Sequence, residues 1–153
     1  MYATPWPSYA TWSYFCHHGS RSARVAGGER MIEIKTLLTA TVVLVALEHL
    51  WFLVLEMFLW TRPIGLKTFR NTLEKAQQSA TLAANQGLYN GFLAAGLLWG
   101  GFHPDLPVGL QITAFFLGCV VVAGIFGAIT VSRRIFWLQA LPALVGLGLA
   151  WLG

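Results

Sequence analysis

The sequence predicts an all-α, polytopic membrane protein, with four transmembrane helices in a compact bundle. Three observations predict it. Hydrophobic residues make up 56% of the chain and charged residues only 10%, with a mean hydropathy of +0.62; soluble domains carry about 25% charge. The few charges are confined, and none falls within 77–102, 107–131 or 136–153. Four apolar stretches, at about 36–60, 80–100, 107–131 and 135–152, approach the roughly 20 residues that cross ~30 Å of hydrocarbon.

Residues 1–30 read differently from the rest. They mix Trp, Pro, Ser, His and Arg without helical or strand periodicity, and they lack the apolar core after a basic start that marks a secretory signal. Gly27-Gly28-Glu29-Arg30 stands directly before Met31, and codons for Gly-Gly-Glu spell a purine-rich, ribosome-binding-like stretch. The expectation is therefore a translated leader or a disordered N-terminal extension at 1–30, with the membrane domain at 31–153.

The first span carries the chain's most informative residues. Glu48 and His49 sit near its centre and Glu56 follows on the same helix. A charge at mid-membrane costs ~2.5–3.5 kcal/mol on insertion scales, so such residues face a protein interior or a wet cavity. His49 and Glu56, seven apart, share a face, whereas Glu48 points about 100° away.

Arg62-Pro63 stops this helix, because a residue before proline is pushed out of the α region. In the link 61–79, Leu66, Phe69 and Leu73 recur at helical spacing beside Lys67, Arg70 and Lys75. That pattern fits either a short interfacial amphipathic helix or an ordinary solvated loop. In the second and third spans, Gly87, Gly91 and Ala95, Ala123 and Gly127, and Gly124 and Ala128 form small-xxx-small ladders. Such ladders allow close helix approach within a bundle or between two copies of the chain. In the fourth span Pro142 removes a backbone donor and frees the Leu138 carbonyl, predicting a kink beside Gln139.

Charge distribution predicts orientation. The link 61–79 carries Arg62, Lys67, Arg70 and Lys75 against Glu74, and the link between spans three and four carries Arg133 and Arg134. The remaining link has no Lys or Arg, only His103 and Asp105. By the positive-inside rule the first and third links face the cytoplasm and both termini lie outside. The net charge of +4 is thereby accounted for by topology, and no basic helix interleaved with polar contact residues points to nucleic acid.

Counting depth along the spans places Glu56, Asn85, Gln86, Thr130 and Gln139 in the cytoplasmic half, with Arg133 or Arg134 at its mouth. Glu48, His49, Asn90 and Cys119 fall near the midplane, Tyr89 shares a face with Asn85, and the outer half is nearly bare of polar side chains. Two functions fit this layer. One is a cytoplasm-facing cavity that binds or transports a small polar ligand, ion or proton, with Glu56 as anchor and Glu48 as proton carrier. The other is a structural or adaptor subunit without ligand, in which Glu48 or Glu56 meets Asn85, Gln86 or Asn90 only to fix helix packing.

Catalytic motifs are missing: the chain has no phosphate-binding loop, HExxH, CxxC or serine nucleophile elbow. Glu48, His49 and Cys119 are too widely spaced for an ordinary zinc site, and a single in-span histidine offers no axial pair for haem. Cys16 and Cys119 imply no disulfide. The cofactor is left unknown, and the expected partners are the lipid bilayer and a second copy or another membrane protein.

The strings ALEHLWFLVLEMFLW (46–60), LAANQGLYNGFLAAGLLWG (82–100) and CVVVAGIFGAITVSRRIFWLQALPALVGL (119–147) resemble the small bacterial membrane proteins of the domain-of-unknown-function 1304 family. The resemblance spans about 31–152 and leaves 1–30 outside, since members begin near Met31. It matches Glu48, His49, Glu56, Asn85, Gln86, Tyr89, Asn90, Arg133, Gln139 and Pro142 to the family pattern. It implies a four-span protein of a bacterial inner membrane and carries no activity.

Overall fold

The computed structural model describes the backbone of residues 9–152 and the side chains of residues 27–152. Its elements in order are α1 (Tyr9–Met57), α2 (Pro63–Phe69), α3 (Leu73–Gln78), α4 (Ala80–Gly101), α5 (Leu106–Thr130), a π-helical turn (Phe136–Ala140) and α6 (Leu141–Leu152). Every regular element among the described residues is helical. Helix α1 runs from Tyr9 through Met31. Residues 27–33 of it are exposed, and residues 1–8 of the expected extension lie outside the described residues.

The long helices pack in a ring, each against its chain neighbours, with α6 closing back onto α1. Glycines set the registers. A Cβ at Gly87 would lie 2.6 Å from Met57 Cγ and 3.2 Å from the Leu53 carbonyl, and one at Gly101 would lie 2.9 Å from Val42 Cγ1. Helices α1 and α4 are therefore antiparallel and nearly in backbone contact. Gly100 meets Thr113 of α5, and Gly124 of α5 meets the Ala140 backbone, with a would-be Cβ 2.8 Å from its nitrogen. Leu38, Val42, Val45, Ala46, Ala94, Leu97, Leu117, Val120 and Ala143 fill the centre.

The expected ladders are thus used partly and within the chain. Gly87 and Gly91 close on α1, but Ala95 and Ala123 are exposed. A spacing of four drifts around a helix, and α4 uses two different glycine faces for its two neighbours.

The link 61–79 is neither one amphipathic helix nor an open loop. Arg62 is extended (φ −85°, ψ 159°) and Pro63 opens α2, where its missing N–H costs nothing. Arg70 ends α2 in the left-handed region at φ 51°, which cuts the helix before Leu73 and leaves that side chain exposed. Thr72 then caps α3, its Oγ1 accepting from the Lys75 amide at 3.4 Å. Trp60 pins both short helices. Its Nε1 donates to the Ala76 carbonyl at 3.1 Å and its ring packs 4.7 Å from that of Phe69.

Among the described residues two segments are long and apolar enough to cross a membrane, Gly27–Met57 and Leu106–Thr130, and Phe136–Leu152 is a shorter apolar helix. Large apolar side chains face outward on all the long helices, among them Leu44, Leu47, Phe92, Phe115, Val122, Phe126, Leu138 and Val145.

Candidate functional site

Two hydrogen-bonded pairs tie α1 to its neighbours. Asn90 of α4 donates its side-chain amide to Glu56 Oε2 at 2.7 Å. His49 is fully buried; its Nδ1 lies 2.8 Å from the Val45 carbonyl. A carbonyl only accepts, so Nδ1 carries the proton and Nε2 is an acceptor. The Gln139 side-chain amide donates to that nitrogen at 3.1 Å. Both imidazole nitrogens are therefore occupied, and the ring joins α1 to the fourth helical segment.

The π turn makes the second pair possible. The Leu141 N–H bonds the Phe136 carbonyl, five residues back. Pro142 has no N–H for Leu138 and its ring would clash there, so the ladder widens rather than breaks. The expected kink is in fact this wide turn, and the extra residue re-aims Gln139 toward α1.

Glu56 meets Asn90, expected at the midplane, rather than Asn85 or Gln86. Gly87 abuts Glu56, so Asn85 and Gln86 do lie near its level, but both are exposed and face away from α1. His49 meets Gln139, expected near the cytoplasmic end. Tyr89 and Arg133 are exposed, and Thr130 bonds back to the Phe126 carbonyl at 2.8 Å. Glu48 is half-buried with no hydrogen-bond partner among the described residues. Cys119 is half-buried and unbonded to another cysteine. No group of three His, Cys, Asp or Glu side chains among the described residues is placed to hold a metal.

The described cavities lie away from this layer. One, of about 140 Å³, opens at the opposite end of the bundle between α1, the α4–α5 link and α5; among its lining residues are Lys35, Thr39, His103 and Thr113. The half expected to be bare of polar groups thus holds a polar-edged cavity. Its residues come from α1, the end of α4 with its link, and α5, and no motif marks them. The other is an open surface groove lined by Arg133, Phe136 and Trp137 with Ile125, Ala128 and Ile129.

The model of the family described as Protein of unknown function (DUF1304) matches residues 43–151. The chain belongs to this family. The matched part begins inside α1 and contains both hydrogen-bonded pairs. Over 106 residues the chain is 30% identical to the uncharacterized protein YpaA of Lactococcus lactis subsp. lactis (strain IL1403), covering 68% of this chain and 87% of that protein. No solved structure matches. Membership of the DUF1304 family brings sequence kinship without an assigned activity, so the residues must carry any functional reading.

Proposed function

We propose that this DUF1304 protein is a four-span protein of the bacterial inner membrane that works as a structural or adaptor subunit, its polar layer serving as a helix clamp. In this reading residues 31–153 form the membrane domain, the apolar stretches at about 36–60, 80–100, 107–131 and 135–152 are the spans, and both termini lie outside. Support comes from the outward-facing apolar side chains on every long helix, far more than a soluble monomer exposes in one patch. Charge is consistent with it. Arg62, Lys67, Arg70, Lys75, Arg133 and Arg134 gather at one end of the bundle, against Lys35, His103 and Asp105 at the other.

The observation that carries the clamp is the pairing of two polar groups of α1 with neighbouring helices. Glu56 and His49 are each met by an amide from a different neighbouring helix. Neither described cavity touches them. An imidazole with both nitrogens engaged is not poised to take a ligand or shuttle a proton.

Glu48 favours the second reading, a site for a small polar ligand, ion or proton, because it is the layer's one acid with no partner among the described residues. Native mass spectrometry of detergent-purified protein, alongside unfolding of Glu56→Gln, separates the two. A bare mass with lowered stability in Glu56→Gln supports the clamp. An adduct of reproducible mass that disappears in Glu56→Gln while stability holds would replace it with the ligand site.

A further inference from the structure

We propose that the cavity between α1, the α4–α5 link and α5 is a binding site for a small monocarboxylate whose apolar body is about the size of a benzene ring. This site is independent of the polar layer and of the clamp reading.

Size comes first. The cavity holds about 140 Å³, close to the ~150 Å³ at which an apolar protein cavity accepts benzene. Three glycines border it, and each lets its neighbours approach closer than a Cβ would allow. A Cβ at Gly109 would lie 2.7 Å from the Gly100 carbonyl, and one at Gly100 would lie 2.6 Å from Thr113 Oγ1. Larger residues would close the space or displace that hydroxyl.

Chemistry decides the class of ligand. Leu38 and Val42, buried in the core, and Leu110 give the cavity an apolar wall. The polar groups on its lining are the Lys35 ammonium, the His103 imidazole and the hydroxyls of Thr39 and Thr113. All can donate hydrogen bonds, and no carboxylate lines the cavity. Thr113 is 2% exposed and is the polar group buried deepest there. His103 Nδ1 accepts from the Asp105 amide at 3.1 Å, which leaves Nε2–H to donate to a ligand. Lys35 is exposed and so stands at the mouth, where an anionic head would sit with its apolar body inside. An apolar pocket with a few convergent donors is the usual form of a small-molecule site.

The test is isothermal titration of the full-length protein in detergent with benzoate and with benzyl alcohol, which has nearly the same shape and no charge. Saturable benzoate binding, at least tenfold tighter than benzyl alcohol, is expected. Lys35→Met, an exposed position that folding does not depend on, should weaken benzoate about tenfold through loss of a charge-assisted bond. It should leave benzyl alcohol unchanged. Absence of benzoate binding overturns the proposal. So does equal binding of the two probes, which would describe a plain apolar hole, or benzoate binding indifferent to Lys35→Met.

Discussion

The two ends of this helix ring treat their polar residues in opposite ways. Toward the basic end, amides and ionisable groups are matched across helices, Asn90 to Glu56 and Gln139 to His49, and neither described cavity touches those four residues. At the other end, Lys35, Thr39, His103 and Thr113 border a space and are not matched to one another. Glycine is used at both ends in the same way: Gly87 and Gly124 at one, and Gly100, Gly101 and Gly109 at the other, each let a neighbour approach closer than a Cβ would allow. The ends differ in what their polar side chains meet. The number of polar residues is therefore a poor guide to a site; whether they have one another is a better one.

The largest effect should come from breaking the basic end. Gly124→Leu drives a side chain into the Ala140 backbone, already 2.8 Å from a would-be Cβ, and should cost about 3 kcal/mol of unfolding free energy. Gly118 has nothing within 4 Å, so Gly118→Ala should change stability by no more than about 0.5 kcal/mol. Detergent unfolding followed by circular dichroism compares the two, and equal costs would mean that α5 does not meet the π turn as described.

Next in size is His49→Leu, which leaves the Gln139 amide without its acceptor inside the bundle. About 2 kcal/mol should be lost. Adding Gln139→Leu removes both polar partners and should recover most of it, since an apolar pair of similar shape is nearly neutral. Failure of the double variant to recover would mean that His49 does more than hold Gln139. For Glu56 and Asn90 a double-mutant cycle to alanine should give a smaller coupling, about 0.6 kcal/mol, the average for such bonds within membranes. A coupling of zero would separate the two residues.

The contrast between the ends also explains what could be read from sequence. Helices were legible because charge-free runs of this length have few other physical causes, and all-α architecture follows. Asn90 was among three amides expected to meet an acid of α1, and helix periodicity alone could not choose between turns of α4. The His49–Gln139 pair was hidden because it depends on a phase change before Pro142, and a proline signals a disturbed ladder without specifying how it is resolved. The cavity was invisible for another reason. Its lining comes from residues up to 79 positions apart, Ile34 to Thr113, whose proximity only the assembled ring creates.

The smallest effect tests that hidden phase change. Pro142→Ala restores an N–H that can bond Leu138 and lets the π turn relax to an α-helix. On its own that bond should stabilise by about 1 kcal/mol. An α-helical ladder, however, rotates Gln139 by about 100° relative to α1, which strands the acceptor nitrogen of the buried His49 at a comparable cost. The two terms oppose, so the net change should stay within about 1 kcal/mol even though the geometry changes. The informative readout is therefore the imidazole itself. Nitrogen-15 NMR of the histidine-labelled protein should show the Nε2 resonance of His49 move in Pro142→Ala while Nδ1, held by Val45 of its own helix, stays put. A large gain in stability with both resonances unmoved would show that the wide turn is imposed by the contact of Gly124 with Ala140, and that proline merely tolerates it.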